Sequence, residues 1–475
     1  MQKKVDVAII GAGSAGLSAL RQVKEVTDNY VIINRNSLGT KCARIGCMPS
    51  KVLISVAKDY HRRKVFADEG ISGAEKLHAD IPSILNHIRS LRDHFTNGMI
   101  KATKQLAGEH LITGCAKIIA PDLIEVGNIK IKTDKIIIAS GSRPKIPNEW
   151  KKFGERILTS DNIFEQKDLP RRIAVVGLGP IGLELGQALS RLGLEIVGFD
   201  LKKSIAATTD PKISTEVVQI FKQEFPIYLG AALSLEYKNG IFLVKHPDIE
   251  LPVDAILVAI GVEPDIQGLG LENLGLELNK RGIPPFDENT TRIAELPVFI
   301  AGDANGYRPI LHEALDEGFI AARNSCSQDI NCFCRRTPIY LVFTDPQIAT
   351  VGISYEQSKN NKVSFIVGKT DFSQQSRAVL ELHNQGLLHI YVDKDSAEIL
   401  GAEFVCPDAE HLAHQLAIAI QHHLTIFDML QIPFYHPTIE EALRTALRDA
   451  AKQLPDKIGL QELSLCDICP EAPLR

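Results

Sequence analysis

The chain has 475 residues, 45% hydrophobic and 23% charged, the make-up of a globular protein with room for about three or four domains. Its 53 basic and 58 acidic side chains leave a net charge of −5 and a pI near 6.3, so neither nucleic acid nor a membrane is an expected partner. No apolar run reaches the roughly 18 residues of a spanning helix, and nine cysteines, an odd number, fit a reducing cytoplasm, where a disulfide is more often catalytic than structural.

Residues Val5–Ile10 run straight into Gly11-Ala12-Gly13-Ser14-Ala15-Gly16, which reads as a strand feeding a phosphate loop and not as a signal peptide. A helix to about Thr27 and a strand Tyr30–Asn34 complete a βαβ unit. Gly11 allows the tight turn, Gly13 the approach of a pyrophosphate, and Gly16 the close packing of helix on strand. Asn34 stands where an acidic residue would hold a ribose, and its amide can still hydrogen-bond there.

Next come Cys42 and Cys47, followed by Pro49-Ser50-Lys51. A helix from about Arg44 would place the pair at its first turn, where the dipole and open N–H groups favour a thiolate. Such a pair can close a small, easily reduced disulfide ring; on spacing alone a zinc half-site or a stapling bridge stays open. Ile81, Ile84, Leu85, Ile88, Leu91 and Phe95 follow at helical spacing and read as core. The strand through Ile136–Ile138 ends in small residues and Gly141, consistent with close passage by a cofactor.

The opening pattern then repeats. Arg172–Val176 is a strand, Gly177, Gly179 and Gly182 form a second phosphate loop, and Glu195–Asp200 is the next strand. Asp200 and Asn34 each lie eighteen residues after the third glycine, so two dinucleotides are expected. The Asp200 carboxylate would accept from ribose hydroxyls and repel a 2′-phosphate, favouring NAD over NADP; Lys202 and Lys203 read as a solvated turn. Far downstream stand His436 and Glu441, then Cys466 and Cys469 in a C-x2-C near the C-terminus; Cys332-Phe333-Cys334 receives no role.

Taken together these motifs resemble the flavin-dependent pyridine nucleotide–disulfide oxidoreductases over nearly the whole chain, from the first glycine loop to about Leu454. The resemblance implies an α/β protein with two Rossmann-like domains, for FAD and NAD, and a C-terminal α+β dimerisation domain. Residues 1–150 would begin the FAD domain, 151–265 bind NAD, 266–335 return to the FAD domain, 336–455 dimerise, and 456–475 form a tail.

The family pattern implies that Cys42 is the interchange thiol and Cys47 the charge-transfer thiol, with Lys51 and Glu184 a buried ion pair beside the flavin. Asp303 would hold the ribitol chain, and the helix near His312 would point its N-terminus at the flavin. Gly141 would also serve FAD, and Gly261 NAD. His436 would be the acid–base oriented by Glu441, acting on the cysteines of a partner subunit. Pro49-Ser50-Lys51 with Asp200 implies an NAD-linked dihydrolipoamide dehydrogenase: a homodimer, with lipoamide or another small disulfide as substrate, and a 2-oxoacid dehydrogenase complex left open as a partner. The alternatives are a mercuric reductase-like or other disulfide reductase using Cys466 and Cys469, and, ranked below it, a regulatory flavoprotein of little turnover. No resident metal is expected, and the expected location is cytoplasmic.

Overall fold

The computed structural model describes residues 2–35, 37–454 and 463. They form two compact units interleaved along the chain: one holds the residues up to Val56, Ala79–Pro170 and Ala255–Arg335, the other Ala57–His78, Arg171–Asp254 and the residues from Arg336 on.

The first unit is built on a sheet of seven strands among the described residues. Leu111–Thr113, Tyr30–Asn34, Gln2–Ile10 and Ile129–Ile138 run parallel in that spatial order. The far edge of Ile129–Ile138 is shared, its first half with antiparallel Leu123–Val126 and its last three residues with parallel Val298–Ile300. Successive side chains leave opposite faces of a strand. Ile136 and Ile138 therefore enter one core and Ile137 the other, as Val31 and Ile33 do against Ile32. Burial on both faces is why these strands read as unbroken apolar runs. The helices Ser14–Val23 and Leu311–Ser325 lie together on one face, and Gly318 sets their spacing: a Cβ there would fall 2.2 Å from the Ala15 carbonyl oxygen.

The second unit repeats the βαβ plan, with parallel strands Arg172–Val176, Glu195–Asp200 and Ile227–Leu229 and the helix Pro180–Arg191. From Ile339 the chain forms a five-stranded antiparallel sheet in the order Ile339–Val342, Gln347–Gly352, Ile399–Cys406, Leu387–Asp393, Phe365–Asp371. The helices Ala409–Gln421 and Glu441–Ala451 cover it, packing Leu412, Leu416, Leu443 and Leu447 onto Leu388, Ile390 and Phe404. Fully buried Glu403 ties this sheet to the βαβ part of the same unit. Its carboxylate accepts from the backbone N–H of Thr209 (2.7 Å), Asp210 (3.0 Å) and Tyr355 (2.9 Å), which offsets the cost of burying the charge.

Two expectations change. The cysteines do not share one helix: Cys42 lies in a single turn, Lys41–Arg44, and Cys47 opens a separate helix, Cys47–His61. The break is at Ile45, whose φ of −137° and ψ of −4° are not helical. The apolar stripe of the helix Ile81–Ala107 is core only at its start, since Leu85 and Ile88 are buried while Leu91 and Phe95 are exposed. Among the described residues no helix is long and apolar enough to cross a membrane.

Phe404 is wholly enclosed, so Phe404→Ala should lower the chemical-denaturation midpoint of the protein at a cost of about 3–5 kcal/mol.

Candidate active site

The two glycine loops superpose in detail. The Gly11 N–H donates to the Ile33 carbonyl and the Gly177 N–H to the Phe199 carbonyl, both at 2.8 Å. Gly11 and Gly177 have φ of +114° and +93°, a region that glycine alone enters freely. One residue on, the Ala12 N–H donates to Asn34 Oδ1 at 3.3 Å and the Leu178 N–H to Asp200 Oδ2 at 2.7 Å. Each strand-end side chain thus braces its own loop.

In both units the helix that follows is capped by glycine, Gly13 or Gly179, with no side-chain cap bond. An added Cβ would meet nothing within 4 Å at either position, whereas at Gly16 it would lie 1.8 Å from the Gly11 carbonyl oxygen. Gly16 therefore serves packing. Gly13 and Gly179 leave open room over uncapped N–H groups, a cradle suited to a pyrophosphate. Gly141 (φ +78°) and Gly261 (φ +100°) are also clear on their Cβ side, as close passage of a ligand requires.

At the cysteines, Thr40 Oγ1 accepts from the Ala43 N–H and starts the short turn that carries Cys42. Cys42 is half-buried and Cys47 more exposed. Their thiols are hydrogen-bonded to each other, and this bond, followed by burial, pushes the Cys42 thiol far above its ordinary range while the Lys51 ammonium pulls it down.

Sequence reasoning missed the link between this turn and Asp303. Lys41 Nζ donates to the Ser142 carbonyl at 3.0 Å, and the Ser142 hydroxyl donates to Asp303 Oδ2 at 2.6 Å. It also missed Glu317, whose nearly inaccessible carboxylate accepts from the Gly302 N–H and from Asn305 Nδ2, each at 2.7 Å, and from Arg335 at 3.0 Å. Burial pushes the Glu317 carboxyl up, against the pull of Arg335 and the Gly302 N–H. Glu317 so fixes the turn that presents Asp303. His312 is the second residue of the helix Leu311–Ser325, which also starts without a side-chain cap. No isolated motif marks Ser142 or Glu317; only the fold brings them to Asp303.

Lys51 belongs to the first unit and Glu184 to the second, where Glu184 is buried and accepts from the Phe343 N–H at 2.9 Å. In the second unit His436 Nδ1 lies 2.9 Å from Glu441 Oε2, and Arg444 holds the other carboxylate oxygen at 3.2 Å. The His436 side chain is 69% exposed, against 15% for Glu441. The imidazole is oriented at its base and presented outward. Cys466 and Cys469 lie outside the described residues.

Residues 5–318 match the pyridine nucleotide-disulphide oxidoreductase family model, and residues 339–447 match that family's dimerisation domain. The chain belongs to this family. It is 30% identical over 462 residues to the mitochondrial dihydrolipoyl dehydrogenase of Mesocricetus auratus, covering 92% of this chain and 95% of that one. Among solved structures it resembles LpdA from Mycobacterium tuberculosis (TM-score 0.82, 23% identity, 94% and 99% of the two chains). It also resembles the Cu(II) complex of the HOCl-induced flavoprotein disulfide reductase RclA from Escherichia coli (TM-score 0.81, 22% identity, 94% and 99%). The protein is thus a flavoprotein disulfide oxidoreductase whose cofactors are FAD and NAD.

Gly13→Ala, filling open space at an unstrained φ of −84°, should leave the thermal midpoint nearly unchanged yet yield protein with little bound flavin, read from the visible spectrum. Asp200→Asn keeps an acceptor for the Leu178 N–H but removes the charge; the ratio of kcat/KM for NADH over NADPH should fall by about tenfold, roughly 1.4 kcal/mol.

Proposed function

We propose that this protein is a dihydrolipoamide dehydrogenase, acting as a homodimer in which each active site combines Cys42 and Cys47 of one copy with His436 of the other. The observation that carries the reading is the division of labour among the groups. The Cys42 thiol is pushed above its ordinary range by its bond to Cys47 and by burial, whereas an imidazole held by a carboxylate stands exposed on the other unit. A thiol of that kind needs a base, and an outward-facing, oriented histidine is built to serve something beyond its own surroundings.

The chemistry is thiol–disulfide exchange. With Cys42 and Cys47 joined, one thiolate of dihydrolipoamide attacks Cys42 Sγ; a bond forms there, and the Cys42–Cys47 bond breaks with its electron pair left on Cys47. The second substrate thiol then displaces Cys42, closing the substrate's own disulfide; His436 takes the proton of the first attack, and the proton of the second goes to the departing Cys42 sulfur. Lys51, in the same helix as Cys47, favours the anionic sulfurs, and the Glu441 carboxylate favours the imidazolium. When bound, FAD supplies the two-electron path between Cys47 and NAD. Asp303, Gly13 and the Asn34-braced loop would hold FAD; Gly179 and Asp200 would hold NAD.

Purified holoprotein should reduce lipoamide with NADH, and Cys42→Ser should lower turnover by about a thousandfold or more. Differently tagged Cys42→Ser and His436→Gln chains, each inactive alone, should give heterodimers with about half the wild-type activity, because one of the two sites then holds an intact cysteine pair and an intact histidine. Inactive heterodimers would place cysteines and histidine in the same copy. Preference for glutathione disulfide or Hg²⁺ over lipoamide would replace the substrate and leave the site architecture standing.

A further inference from the structure

Among the described residues, Cys332 and Cys334 are a cysteine pair that the mechanism leaves unused, in the irregular segment between the helix Leu311–Ser325 and the strand Ile339–Val342. Its alternate positions are tied inward. Fully buried Asn324 takes the Asn331 N–H on its Oδ1 at 2.8 Å and donates from Nδ2 to the Asn331 carbonyl at 3.0 Å. The Phe333 N–H donates to the Asn289 carbonyl at 3.0 Å, and the Phe333 ring meets Phe319 edge to face with centroids 6.0 Å apart. Arg335 is held by Glu317 at 3.0 Å, by the Glu288 carbonyl at 2.9 Å and by Glu313.

Positions 331, 333 and 335 are therefore fixed, while the two cysteines between them are exposed. That alternation is the period of extended chain, in which residues two apart share a face. Cys332 and Cys334 are two exposed thiols one residue apart, in a segment held at the positions around them.

We infer that Cys332 and Cys334 form a two-thiolate site for a soft d10 metal ion, of which Cu(I) is the type. Spacing decides between this and a disulfide. In extended chain, at about 3.3 Å per residue, Cα atoms two residues apart are separated by roughly 6.6 Å, beyond the usual 5.5–6 Å of a disulfide. An ion with thiolate bonds of about 2.3 Å spans up to about 4.6 Å between sulfurs, a wider reach than the S–S bond of a disulfide. Ligand number decides the metal. Among the described residues no group of three or more His, Cys, Asp or Glu side chains is placed to hold an ion, so four-coordinate Zn²⁺ lacks ligands here. Thiolates select Cu(I), which accepts two of them. Binding forms two sulfur–metal bonds and releases two protons to solvent, with no change of oxidation state, so affinity rises with pH.

The test is Cu(I) titration of flavin-loaded protein carrying Cys42→Ser and Cys47→Ser, under anaerobic conditions in competition with a chromogenic Cu(I) chelator. Adding Cys332→Ser, Cys334→Ser or both should each remove the same single equivalent, because one thiolate alone does not hold the ion. Loss of no equivalent, or retention by either single variant, overturns the site. In the otherwise wild-type enzyme, Cys332→Ser should leave NADH-dependent lipoamide turnover and flavin content unchanged. This result is independent of the dehydrogenase reading, since the titration requires no turnover.

Discussion

A helix that begins without a side-chain cap leaves N–H groups needing an acceptor. Gly13 and Gly179 both start helices this way, with empty space where a side chain would stand. Much else follows from that deficit. Gly11 and Gly177 turn the chain in positive φ, the strand ends at Asn34 and Asp200 brace the loops from behind, and Gly16 lets the helix lie close enough to present its end. An anion at either helix start would satisfy those N–H groups, so a ligand that supplied one would stabilise the fold as it bound.

The reactive groups are held by polar contacts of long sequence range within each unit. Lys41, Ser142 and Asp303 form one such chain, joining the residue before the first active cysteine to the turn expected to hold the ribitol. Glu317 and Arg335 support that turn from behind. In the second unit the Phe343 N–H holds Glu184, and Arg444 steadies the carboxylate that orients His436. Each contact removes rotamer freedom from a group expected to act, which is how supporting residues serve a site they do not themselves occupy.

Local patterns were the legible part of the sequence. Strands buried on both faces show as apolar runs, phosphate loops as glycines at fixed spacing, and His436 and Glu441 as residues close enough in sequence to meet across one turn. The break at Ile45 was not legible, because nothing in Cys42 to Cys47 except Gly46 argues against one continuous helix. Nor was the exposure of Leu91 and Phe95 in the helix Ile81–Ala107, since apolar spacing does not say what a residue faces. Ser142, Glu317 and Arg335 carry no motif at all. Their partners lie far away in sequence, so tertiary structure alone brings them together.

The near-identity of the two loops sets this polypeptide a sorting problem. Both cofactors carry the same adenosine diphosphate half, and the two cradles offer it the same turn, the same open glycine and the same bracing bond. What separates them at the strand end is a single charge, neutral at Asn34 and negative at Asp200. An adenine dinucleotide arriving at the freshly folded chain meets two berths of one pattern, and the half of the molecule that differs, isoalloxazine or nicotinamide, has to find its own walls before the right berth is filled. Two loops so alike leave little in the glycines themselves by which such a choice could be made.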